Sequence, residues 1–81
     1  MFNVRKWLNG KRSASTGSVV AYSGPAPWKK DKMMILEISD CHNKVRLHKA
    51  DVDSTKDFIK KLRRLRSVID NFISYLERNE K

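Results

Sequence analysis

STKDFIKKLRRLRSVIDNFISYLERN, residues 54–79, is the stretch that decides the fold. Phe58, Leu62, Leu65, Ile69, Phe72 and Leu76 recur at alternating spacings of four and three. At 100° per residue these six side chains fall in one stripe of an α-helix. Ile59, Val68, Ile73 and Tyr75 widen the stripe, and Lys60, Arg63, Arg64, Ser67, Asn71, Ser74 and Arg78 take the opposite side. Ser54 stands at the N-cap, with Asp57 three residues on as its capping-box partner. No Pro or Gly interrupts the run, which predicts a single helix about 39 Å long. Leu65 and Ile69, in mid-stripe, are expected at the centre of the core.

The rest of the chain must supply something for that stripe to bury. Lys44 to Lys49 alternates, with Val45 and Leu47 on one side and Lys44, Arg46 and His48 on the other. Met33 to Ser39 reads as the best strand, Met34, Leu36 and Ile38 facing one way and Met33, Ile35 and Glu37 the other. Asp40-Cys41-His42-Asn43 between them has turn composition. Ser18 to Ser23 is a further short strand, expected to end at Gly24-Pro25-Ala26-Pro27, because prolines cannot continue a ladder. Met1 to Leu8 suits either a strand, with Phe2, Val4 and Leu8 on one face, or a short helix sharing Val4, Trp7 and Leu8. Asn9-Gly10 then marks a turn. Lys11 to Gly17 is a polar, basic loop or an arm that orders on binding. The expectation is one α+β domain over residues 1–81. It comprises a basic arm or hairpin (1–17), two to four antiparallel strands (18–49) and a covering amphipathic helix (54–79).

At 81 residues the chain buries only about 60–65% of the surface of its unfolded form, so its core is thin. A long apolar stripe on so small a protein predicts a homodimer, with Phe58, Leu62, Leu65, Ile69, Phe72 and Leu76 forming either the dimer face or the face that covers the sheet. Its single cysteine excludes an intramolecular disulfide and fits a reducing compartment. No apolar run approaches the ~20 residues of a membrane span, and Arg5 and Lys6 interrupt any signal-peptide core. A cytoplasmic protein with no membrane partner is expected.

The formal charge is +9, and it is clustered. Residues 1–32 hold seven basic and one acidic side chain, and residues 56–66 hold six and one, while the two remaining segments each carry a net charge of −1. Two cationic blocks separated by nearly neutral chain suit a polyanionic partner. Arg5-Lys6-Trp7 and Trp28-Lys29-Lys30 each set an aromatic ring beside cations. Single-stranded nucleic acid is held in this way, cations tracking phosphates while rings stack on bases. The alternative is that both tryptophans fill the small core. The expected binding residues are Arg5, Lys6, Lys11, Arg12, Trp28, Lys29, Lys30 and Arg46, with Lys60, Arg63 and Arg64 from the helix. RNA or single-stranded DNA is preferred to duplex, because no helix presents polar base-reading residues.

Catalytic and metal chemistry find little support. Asp40, Cys41, His42 and His48 match no paired metal-ligand spacing, and neighbours in a tight turn do not converge on one tetrahedral centre. Cys41 lacks an orienting partner for a nucleophile, and Gly10, Gly17 and Gly24 lie too far apart for a phosphate loop. A non-enzymatic protein without cofactor or metal is expected. A protein-interaction module that docks its basic face on an acidic host protein is the competing expectation.

In the order of strands, basic hairpin and terminal amphipathic helix, Met33 to Leu76 resembles the single-stranded-DNA-binding transcriptional coactivators. The Asp51-Val52-Asp53 connection and the lack of a glycine before Val45 depart from that pattern. The resemblance implies dimerisation through the helix and DNA binding on the sheet. In size, charge and texture the whole chain is similar to small basic early proteins of T-even-like phages, of the type that inhibits the RNase toxin ToxN. That likeness implies counter-defence through RNA and a host protein target, and assigns no residue a role.

Overall fold

The structure, a computed structural model, describes residues 1–10, 17–26, 32–50 and 52–79. The fold is α+β: four antiparallel strands form one sheet and a single long helix ends the chain. Met1–Lys49 and Ala50–Lys81 are two compact units.

In the first unit the strands are β1 (Phe2–Trp7), β2 (Gly17–Pro25), β3 (Lys32–Asp40) and β4 (Asn43–His48), in the spatial order β1-β2-β3-β4. Every strand pairs with its sequence neighbour. The open choice at Met1 to Leu8 resolves as strand, because Phe2 to Trp7 pairs residue by residue with Ser23 to Ser18. Leu8 N–H extends that ladder to the Gly17 carbonyl at 2.8 Å. Pro25 does not stop β2 as expected from its sequence. It pairs with Lys32 as the last residue of the strand, where a missing N–H costs little. Asp40 and Asn43 close a two-residue turn in which Cys41 takes a φ of 53°. This is left-handed backbone that glycine or asparagine adopts more readily than cysteine.

Register separates the two faces of the sheet. Val4, Val19, Ala21, Leu36, Ile38, Val45 and Leu47 share the apolar face, through the pairs Val4–Ala21–Leu36–Leu47 and Val19–Ile38–Val45. The central strands β2 and β3 are half-buried along most of their length, whereas the outer strands are largely exposed. Val45, expected inward, lies on the apolar face but is exposed because β4 is an edge.

The second unit is built on α1 (Thr55–Asn79). Its start is the expected cap. Ser54 Oγ accepts from Asp57 N–H at 3.2 Å, and Asp57 Oδ2 accepts from the Ser54 N–H and hydroxyl, each at 3.0 Å. These bonds satisfy amide groups that the first turn leaves without helical partners. The Ser54 backbone, followed by its hydroxyl, holds the Asp57 carboxyl below its usual range. Burial along the stripe is graded: Phe58 is buried, Leu62 and Leu65 are half-buried, and Ile69, Phe72 and Leu76 are exposed. Ile69, at 44% exposure, is therefore not the core residue expected from mid-stripe position. Periodicity fixes which side of a helix is apolar, but not how far along its axis burial extends.

Candidate nucleic-acid interface

The second face of the sheet carries the chemistry. Its rows are Trp7–Ser18–Ser39–Lys44, Arg5–Val20–Glu37–Arg46 and Asn3–Tyr22–Ile35–His48, each crossing all four strands. The pleat puts every second residue on one side, so two rings, three cations and a histidine share a surface opposite the apolar one. In chain order these groups are scattered from Asn3 to His48, and only pairing brings them together.

Trp7 is 71% exposed, so it is a surface ring and not the core plug that was its alternative role. Arg5 lies one row from it on β1. Lys6 does not join them. Its Cα partner is Val19, which puts it on the apolar face, against the expected Arg5-Lys6-Trp7 cluster. The reason is the two-residue period of a strand, which divides adjacent side chains between faces. Lys11, Arg12, Trp28, Lys29 and Lys30 lie outside the described residues.

Tyr22 is a site residue the sequence did not single out. Its hydroxyl donates to the Pro25 carbonyl at 2.9 Å, which pulls the phenol end along β2 over Gly24. A Cβ at Gly24 would stand 2.9 Å from Tyr22 Oη, closer than real Cβ contacts come, and 3.1 Å from Cζ, tighter than most. The glycine thus leaves room for the ring to lean on the sheet with its outer side half-exposed. Tyr22 has no cation beside it in sequence; Arg5, diagonal to it, arrives from β1.

Arg46 and Lys44, on β4, meet across Glu37 of β3. Glu37 Oε2 accepts from Arg46 Nε at 2.9 Å and from an Arg46 terminal nitrogen at 2.6 Å, and Lys44 Nζ lies 3.4 Å from Oε1. The bond from Arg46, followed by the field of Lys44, holds the Glu37 carboxyl below its usual range. Beyond Lys44, Ser18 and Ser39 share a hydroxyl hydrogen bond of 2.7 Å that fixes the neighbouring row. Cations on the outer strands β1 and β4 also discourage edge-to-edge pairing of sheets, a structural role compatible with binding.

On the helix, Lys60, Arg63 and Arg64 are exposed at spacings that put them on one side. Cys41 and His42 occupy the β3–β4 turn, and His48 ends β4 six residues later. An open depression is lined, among the described residues, by Met1, Phe2, Ser23, Gly24, Pro25 and Lys32, none of which carries a carboxylate, imidazole or thiol side chain. Among the described residues no helix is long and apolar enough to cross a membrane. Comparison with protein-family models, with curated proteins and with solved structures found no match.

Proposed function

We propose that this protein is a non-enzymatic, cytoplasmic binder of single-stranded nucleic acid, RNA or DNA, which lies across the polar face of the sheet. The observation that carries the reading is the sharing of one face by Trp7, Tyr22, Arg5, Lys44 and Arg46. Rings on a β-surface stack on splayed bases while flanking cations take phosphates. The exposed Lys60, Arg63 and Arg64 form a second cationic patch, on the helix. The likeness to ToxN-inhibiting phage proteins adds a host RNase toxin as a protein partner and counter-defence as the setting.

The same reading includes a homodimer. Val68, Ile69, Phe72, Ile73, Tyr75 and Leu76 leave the C-terminal half of α1 with an exposed apolar side. Residues 56–66 carry a net charge of +5, whereas residues 67–81 carry −1. A second copy crossing antiparallel keeps the two +5 blocks apart and sets each beside the partner's less basic half, which a parallel pair does not. Sedimentation at high micromolar concentration should show twice the 9.5 kDa chain mass, and a 9.5 kDa species alone refutes the dimer.

Binding is tested by fluorescence anisotropy with labelled single strands of RNA and DNA and a matched duplex. Four to six neutralised phosphates give a log–log salt slope of roughly −3 to −4 on a single strand. Charge reversal at Lys60, Arg63 and Arg64 should abolish binding in a folded protein, and Ser74→Ala should leave it unchanged. If a folded protein binds no strand at about 50 mM salt, the reading fails, and the basic surfaces serve an acidic protein partner instead.

A further inference from the structure

We propose that Arg46 and Lys44 form a phosphodiester subsite and that Glu37 is its positioning residue. This rests on the nucleic-acid reading above and names the part of the sheet that grips the backbone.

Glu37 is the one carboxylate among the described residues of the polar face. A lone acid amid cations on a surface meant for polyanions admits two roles. It either competes with phosphate for the cations or holds them in place. Exposure decides between these. The Glu37 side chain is 13% exposed, whereas Lys44 and Arg46 are 63% and 55% exposed. The carboxylate therefore lies low on the sheet, and its two partners remain open to solvent. A phosphate arriving from solvent meets the cations before it meets the acid. Displacing Glu37 would strip a half-buried carboxylate of its partners, which is costly.

The donor count agrees. A guanidinium has five N–H donors and an ammonium three. Arg46 uses its Nε and one terminal nitrogen on Glu37 Oε2, and Lys44 approaches Oε1. The remaining donors of both groups are available to the two non-bridging oxygens of a phosphodiester. The trio keeps a net charge of +1, matching one backbone phosphate. Both oxygens of a single carboxylate fix the spacing of Arg46 and Lys44, so these long side chains lose less freedom when the ligand binds.

The test is Glu37→Gln, measured for single-strand affinity from about 50 to 200 mM salt, with folding checked by circular dichroism and thermal melting. On net charge alone, removing an acid from a polyanion-binding protein strengthens binding and steepens the slope. The positioning role requires the reverse: affinity about three- to tenfold lower, with a slope shallower by about 0.7 to 1.4 for one or two lost phosphate contacts. Arg46→Lys keeps the charge but loses the fork, and should weaken binding as well. Unchanged or tighter binding by Glu37→Gln overturns the subsite while wild-type binding upholds the broader reading. If Glu37→Gln does not fold, Arg46→Gln and Lys44→Gln, both at exposed positions, decide. Each should reduce the slope by about 0.7, and slopes equal to wild type overturn the proposal.

Discussion

Replacing Tyr22 by Ala should weaken single-strand binding by about five- to thirtyfold without a matching loss of salt dependence. A base stacked on an aromatic ring is worth about 1–3 kcal/mol. Tyr22 leans on the sheet over Gly24, so only its outer side is free for a base, and the lower part of that range, about 1–2 kcal/mol, applies. At 1.4 kcal/mol per tenfold this gives the stated factor. Two companion variants tie the effect to geometry. Tyr22→Phe keeps the ring but removes the 2.9 Å bond to Pro25, and should cost less than a few-fold. Gly24→Ala sets a methyl 2.9 Å from the phenol oxygen, so the ring must swing away and much of the Tyr22→Ala loss should reappear with tyrosine still present. Anisotropy at constant salt reads the affinity, and a melting curve for each variant separates lost stacking from lost fold. A folded Tyr22→Ala protein that binds as tightly as wild type refutes the stacking argument.

Ser54→Ala removes the N-cap acceptor of α1 and should destabilise the protein by about 1 kcal/mol in urea titration. Because the folded-state Asp57 carboxyl is held below its usual range, its contribution is fully present above the ordinary carboxylate pKa. It is lost as the pH falls through the depressed value. Asp57→Asn should therefore flatten the acid limb of stability against pH. Cys41→Gly relieves the 53° φ in the β3–β4 turn and should raise stability by about 1 kcal/mol, read as a shift in the urea midpoint. Phe58→Ala, at the one large apolar side chain buried among the described residues, should cost about 3–5 kcal/mol. In contrast, Phe72→Ala, at 61% exposure, should leave a dilute monomer nearly unchanged and weaken self-association.

Much of the fold was legible because two periods are hard to confuse over long runs. Twenty-six residues without Pro or Gly, capped by Ser54 and Asp57, allow only a helix. Met33 to Ser39 and Lys44 to Lys49 alternate too regularly for anything but strands. Phe2 to Trp7 was ambiguous because six residues accommodate both periods, and pairing with β2 settles the matter. The binding face was less legible. Arg5, Trp7 and Arg46 were identifiable as single residues, but their shared surface depends on register, which one sequence does not encode locally. Tyr22 carries no local signal, since Arg5, the cation diagonal to it on the polar face, stands on β1. Lys6 neighbours Arg5 and Trp7 in sequence, and in a strand such adjacency means separation.

The meander also bears on how the chain reaches its native state. Each strand pairs with the one before it, so no contact in the sheet waits for a distant segment. The β3–β4 turn spans only Cys41 and His42, which gives it the shortest loop to close in the sheet. Hairpins of this kind form in about 1–10 μs, far faster than sheets that await non-local partners. On a ribosome, β1 through β4 can zip in the order in which they emerge. Little unpaired strand stays exposed for long, a useful property in a protein with two open sheet edges.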